Sequence, residues 1–171
     1  MGQMEWKMPC VADEKFDDFK QLGFTPLLTA VLRARGADTP EKARQYLLRN
    51  ESQMCDPMLL ADMDKAVTRI ELAVDKHERL AVYGDYDVDG ISSACLLMDY
   101  FQGRGLDCEV YIPDRLDEGY GVNKKAIDVL HGKGIDLIVT VDCGITALAE
   151  TEYAKSLGMD MIITDHHECP Q

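Results

Sequence analysis

Four short apolar runs, LAVYG (80–84), CEVYIP (108–113), LIVTVD (137–142) and MIIT (161–164), each lead into a cluster of charged residues. Between them lie segments of helical pattern, ISSACLLMDYFQGRG (91–105), NKKAIDVLHGKG (123–134) and TALAETEYAKSLG (146–158). Strand and helix alternating in this way predict an α/β fold, a parallel sheet with helices on both faces. All strands of a parallel sheet end on one edge, and ligands bind in the crevice there. The clusters GDYDVDG, PDRLDEGYG, VDCG and TDHHE therefore converge in space although they are spread along the chain.

Residues 1–78 read differently, as an N-terminal helical segment preceding an α/β domain over 79–171. TPLLTAVLRARG (25–36) ends on Gly after basic residues, as helix C-termini do. DTPEKARQYLLRN (38–50) offers Thr39 as N-cap and Pro40 at the first helical position. In ADMDKAVTRIELAVDKHE (61–78), Met63, Val67, Ile70 and Val74 recur at helical spacing.

An apolar fraction of 46% in 171 residues supports a core, and no apolar run is long enough to span a membrane. The N-terminus lacks a basic-then-apolar signal pattern, so the expected location is the cytoplasm. None of the six cysteines forms a C-x-x-C pair, and Cys95, Cys108 and Cys143 lie in apolar segments, which predicts reduced, buried thiols. The net charge of −13 argues against a free-standing nucleic-acid binder. It leaves room for a metal-dependent phosphodiesterase, whose ligand carboxylates are offset locally by cations.

Asp85, Asp87 and Asp89 occupy alternate positions after the first strand. Like charges so close raise one another's pKa unless a cation lies between them. Alone, the motif fits a metal loop or a polar turn in which Gly90 supplies positive φ. An EF-hand is excluded, because no Glu stands at the twelfth position and a helix follows at once. Convergence with Asp142 and with TDHHE on the same edge decides for a metal. The helix starting near Ile91, with Ser92 and Ser93, is suited to a phosphate. Adjacent imidazoles point in different directions, so one of His166 and His167 ligates an ion and the other meets substrate, with Asp165 as acceptor for a metal-bound ring. Arg115 is a candidate for a bidentate phosphate contact or for a surface ion pair. Tyr120 is a candidate for stacking on a base. His77 and His131 lie on helices and receive no role.

GDYDVDG, EGYGVN, VDCGIT and TDHHE, in this order and spacing, resemble the motifs of the DHH phosphoesterase superfamily, and within it the RecJ-type exonucleases. DPMLLADMDKAVTRIELA resembles the segment that precedes the first motif in that branch. Relatives that act on cyclic dinucleotides, short oligonucleotides or pyrophosphate carry a His four positions before the first metal-binding Asp; Tyr83 stands there in this chain.

The resemblance implies that Asp87, Asp89, Asp142 and His166 bind metal, Asp142 bridging two Mn²⁺ or Mg²⁺ ions. Asp85 becomes a supporting acid, Asp165 an outer acceptor and His167 a contact to the scissile phosphate. The implied reaction is stepwise 5′→3′ hydrolysis of single-stranded DNA in repair and recombination, with a single-stranded-DNA-binding protein or helicase as partner. In this family a further ligand Asp and a second domain come later than Gln171. The chain is thus expected to be an N-terminal catalytic-core portion, weak in metal binding and in activity by itself. Two alternatives stand beside this, a DHH phosphodiesterase of small nucleotides and a non-catalytic DHH scaffold.

Overall fold

The computed structural model describes residues 17–48, 54–114, 119 and 121–169. The chain divides into two compact units, Met1–Asp56 and Pro57–Gln171.

In the first unit three helices are described, α1 (Asp17–Lys20), α2 (Pro26–Ala34) and α3 (Pro40–Leu47). Each of the last two begins with a Thr–Pro pair. The Thr25 hydroxyl accepts from the Leu28 amide and the Thr39 hydroxyl from the Lys42 amide, both at 3.2 Å. Proline follows at the first turn, where no amide hydrogen is needed. Phe19, Leu32, Ala37 and Ala43 form a small buried cluster.

The second unit opens with a 3-10 turn, Pro57–Leu59, and helix α4 (Met63–Lys76). There follow β1 (Leu80–Gly84), α5 (Val88–Gly103), β2 (Cys108–Tyr111), α6 (Lys124–Gly132), β3 (Leu137–Val141), α7 (Leu148–Ser156) and β4 (Asp160–Thr164). The sheet is four-stranded and parallel in the order β2-β1-β3-β4. β1 and β3 are buried at every position, which explains their largely apolar sequence, whereas β2 and β4 are edge strands.

Alternate residues of the central strands point to opposite faces. Ala81, Tyr83 and Ile138 pack with Ala126, Ile127 and Leu130 of α6 and Ala154 of α7. Leu80, Val82, Leu137, Val139 and Val141 pack with Ala73 of α4 and with Ala94 and Phe101 of α5. The sheet is thus covered on both sides, the α/β arrangement its alternating pattern predicts.

The buried side of α4 runs through Ile70, Ala73 and Val74, while Val67, expected on the apolar stripe, is 38% exposed. α4 shares the cluster of Leu80 and Val82, so it belongs to the compact unit that holds the sheet. Cys95, expected to be buried, lies on the outer side of α5; Cys143 is buried. Among the described residues no helix is long and apolar enough to cross a membrane.

Candidate metal centre

The register of the sheet assembles the site. Gly84 is paired with Val141, and Val141 with Thr164. The next residue of each strand, Asp85, Asp142 and Asp165, therefore leaves the sheet beside the others. The strand order reverses direction between β1 and β3, so the connections after these two strands diverge and open a crevice between them. One ligand atom from each of Asp85, Asp87 and Asp142 lies within 4.8 Å of the others, and the same holds for Asp142, His166 and His167. Asp142 belongs to both groups.

Asp142 is only 8% exposed and adopts φ 61°, a left-handed conformation that Asp tolerates better than most residues. Such conformations concentrate at functional sites, where the surroundings enforce them. Burial, and then the negative charge of Asp87, hold its carboxyl above the usual range. His166 Nε2 approaches Asp142 Oδ1 to 2.9 Å, yet the contact lacks hydrogen-bond alignment, and this buried oxygen receives no hydrogen bond.

Asp87 is the N-cap of α5, its Oδ1 accepting from the Asp89 amide at 2.9 Å and the Gly90 amide at 3.1 Å. These bonds, that from Gly90 foremost, lower its pKa. One carboxylate oxygen thus serves the helix and the other is left for a ligand. Capping by Asp87 also starts α5 at Val88, so Asp89 and Gly90 are helical. Gly90 does not have the positive φ a polar turn would need. Its role is close approach: a Cβ there would lie 2.3 Å from the Asp85 carbonyl oxygen. Asp85 is 5% exposed and accepts from the Tyr86 amide at 2.7 Å.

The side chain of Asp165 is 2% exposed. Its Oδ2 accepts from the Ile145 amide at 3.0 Å, and its Oδ1 from the His167 amide at 3.0 Å. That same Oδ1 lies 2.7 Å from His167 Nδ1. Asp165 therefore orients His167, whereas His166 meets Asp142. Burial opposes ionisation of Asp165, but the amide and imidazole donors outweigh it and lower its pKa. The hydrogen bond that Asp165 accepts from the ring, then the charge of Asp165, raise the pKa of His167.

Asp89 lies outside both close groups and lines the adjoining open cleft with Ser92, Ser93, Asp142, Thr164, Asp165 and His166. A second cavity, of about 230 Å³, is lined by Gly121, Val122, the 144–147 turn, Glu150, Asp165 and His167. Arg115 and Tyr120 lie outside the described residues. Sequence reading anticipated the convergence of the carboxylates and the two histidines but not the second cavity. The glycines of GYGV and VDCGIT, at which the backbone can line a cavity, are the only signal for it.

The donors suit a divalent ion: three carboxylates and two imidazoles, with a buried Asp142 oxygen that no protein donor satisfies. Carboxylate oxygen accommodates Mg²⁺ or Mn²⁺, and imidazole shifts the preference towards Mn²⁺.

Fold and site together define an α/β domain with a carboxylate–imidazole centre at the C-terminal edge of its parallel sheet. Residues 79–171 match the DHH family, N-terminal domain, and the chain belongs to that family. It is 40% identical over 168 residues to the single-stranded-DNA-specific exonuclease RecJ of Bacillus subtilis (strain 168), covering 98% of this chain and 21% of that protein. To RecJ of Escherichia coli (strain K12) it is 37% identical over 145 residues, 83% of this chain and 24% of that one. A crystal structure of exonuclease RecJ bound to manganese superposes with TM-score 0.63 at 36% identity, over 69% of this chain and 30% of the other. The chain thus spans less than a quarter of the length of these two curated relatives.

Proposed function

We propose that this chain carries the metal-dependent catalytic centre of a 5′→3′ exonuclease acting on single-stranded DNA in the cytoplasm. One observation carries the reading. Asp142 is shared by an acidic group (Asp85, Asp87) and an imidazole group (His166, His167), the arrangement of a carboxylate between two ions. Kinship to RecJ, including a manganese-bound structure, supports the substrate class.

On this reading Asp85, Asp87 and Asp142 would hold one Mn²⁺ or Mg²⁺ ion, and Asp142 and His166 would help to hold another, with Asp89 closing the cleft side. When bound, such ions polarise the phosphodiester and offset charge on the attacking and leaving oxygens. Asp142, inflexible in its left-handed position, fixes the spacing of the two halves. Asp87, tied to the first turn of α5, cannot swing away without uncapping the helix. Asp165 accepts from His167 Nδ1, which leaves Nε2 facing the site, a donor to a phosphate oxygen when the ring is protonated. Ser92 at the cleft, together with Arg115 and Tyr120, completes the contacts to phosphate and base. A single-stranded-DNA-binding protein or a helicase would deliver the strand.

Incubation with Mn²⁺ and single-stranded DNA labelled at either end tests the reading, with a dinucleotide in parallel. Slow release of mononucleotides from the 5′ end, lost in Asp142→Ala, is expected. Hydrolysis of the dinucleotide in preference to DNA, or activity retained in Asp142→Ala, overturns it.

A further inference from the structure

Tyr83 stands two residues before Asp85 on β1, yet its side chain serves the opposite purpose to a ligand. The ring is fully buried and stacks on Tyr111 with centroids 5.3 Å apart. Its hydroxyl donates to the Gly121 carbonyl at 3.0 Å and accepts from Asn123 Nδ2 at 3.2 Å. Asn123 in turn caps α6, its Oδ1 accepting from the Ala126 amide at 2.9 Å. Gly121 (φ +83°) and Val122 line the cavity that Asp165 and His167 also line.

We infer that Tyr83 and Asn123 are positioning residues that hold the Gly121 and Val122 wall against the His167 side, and so set how a DNA strand enters the site. The inference rests on the reading under Proposed function. A phenylalanine would fill the same core volume and make the same stack, so packing alone does not require the hydroxyl. A buried hydroxyl is costly unless it is paired, and here these two partners belong to the segment after β2. One rigid central strand thereby fixes Asp85 through its backbone and the cavity wall through the Tyr83 hydroxyl. The metal side and the strand side of the site are held in one frame.

Tyr83→Phe keeps the ring and removes the hydroxyl. Asn123→Ser keeps an N-cap acceptor for α6 and removes the amide donor. Amide exchange over 121–123 is expected to quicken in both variants while β1 and β3 keep their protection. Mn²⁺ affinity, read by titration, should stay within about twofold of the unmodified chain. Affinity for a labelled oligodeoxythymidylate, measured in Ca²⁺, should fall about fivefold, the weight of one neutral hydrogen bond. Where turnover is measured with Mn²⁺, KM rises and kcat holds, whereas a merely structural loss lowers the active fraction at constant KM. Unchanged exchange in both variants overturns the holding role, and a parallel fall in Mn²⁺ affinity overturns the assignment to the strand side. If the unmodified chain binds no oligonucleotide, the reading under Proposed function fails, and with it the substrate half of this inference.

Discussion

Gly90 lies so close to the backbone of Asp85 that a Cβ at position 90 would come within 2.3 Å of the Asp85 carbonyl oxygen and 2.5 Å of its nitrogen. Helix α5 starts on top of the last residues of β1, and this contact sets the height at which Asp85 and Asp87 face Asp142. Backbone against backbone leaves no flexible atom to give way.

Gly90→Ala is therefore expected to cost on the order of 3 kcal/mol, the upper end of ordinary overpacking. The midpoint of thermal unfolding should fall by roughly 6–12 °C, and Mn²⁺ binding should weaken. Gly103 is the matched control. It lies in the last turn of α5 with open space around its Cβ position, so Gly103→Ala should stabilise by about 0.4–1 kcal/mol. Differential scanning calorimetry distinguishes the two. Equal effects would show that the contact with Asp85 is unimportant.

Asp142→Asn tests the tension within the centre. The folded-state pKa of Asp142 is raised, so folding resists its charge. The resulting penalty is absent below the ordinary carboxylate range and develops as pH rises through the raised value. At neutral pH without metal, the neutral amide of the Asp142→Asn variant removes that penalty, and an asparagine still tolerates the left-handed backbone. The metal-free melting temperature should rise by about 2–4 °C for each ~1 kcal/mol relieved, while stabilisation by Mn²⁺ disappears. A lower melting point without metal would contradict the assignment.

Asp165→Asn concerns His167. The aspartate raises the imidazole pKa by hydrogen bond and by charge, and an amide keeps an acceptor without the charge. His167 should then titrate at a lower pH, as followed by the ring-proton shifts in NMR. Any stability drawn from protonated His167 is full below its unfolded pKa and lost as pH rises through the folded one. That loss should move to lower pH in the variant. An unmoved His167 titration would refute the coupling.

Arg69 ties α4 to Glu78, ahead of β1, at 2.7 Å and to Asp160 at the start of β4 at 2.6 Å. The Glu78 side chain is 16% exposed, that of Asp160 59%. Arg69→Ala strands the half-buried Glu78 and should cost about 1–3 kcal/mol. Asp160→Ala removes only a screened contact and should cost under ~1 kcal/mol. Urea unfolding of both variants checks the order, which a larger loss in Asp160→Ala would reverse.

Much of the fold was legible because its signals are local. The runs at 80–84 and 137–141 are largely apolar, as a strand covered on both faces requires. The Thr39–Pro40 pair marks a helix start through the geometry of its own few atoms. That Asp85, Asp142 and Asp165 meet also follows from the sequence once a parallel sheet is accepted, since every strand ends on the same edge.

What the sequence could not decide depends on register and on distances between segments far apart in the chain. Asp87 and Asp89 are equivalent in the motif, yet only Asp87 caps α5 and joins Asp85 and Asp142. His166 and His167 are neighbours of one type, and the packing of Asp165 on the Ile145 amide determined that His167 received the carboxylate. Gly90 invited a reading of positive φ, whereas the close approach of helix and strand gave it another purpose. Tyr83 marked only a position where other relatives carry His, and it was the fold that brought Gly121 and Asn123 to its hydroxyl. Residue type and spacing determine which chemistry is available at the edge of the sheet. Tertiary packing assigns each group its partner, because hydrogen-bond geometry is resolved over tenths of an ångström that no local pattern encodes.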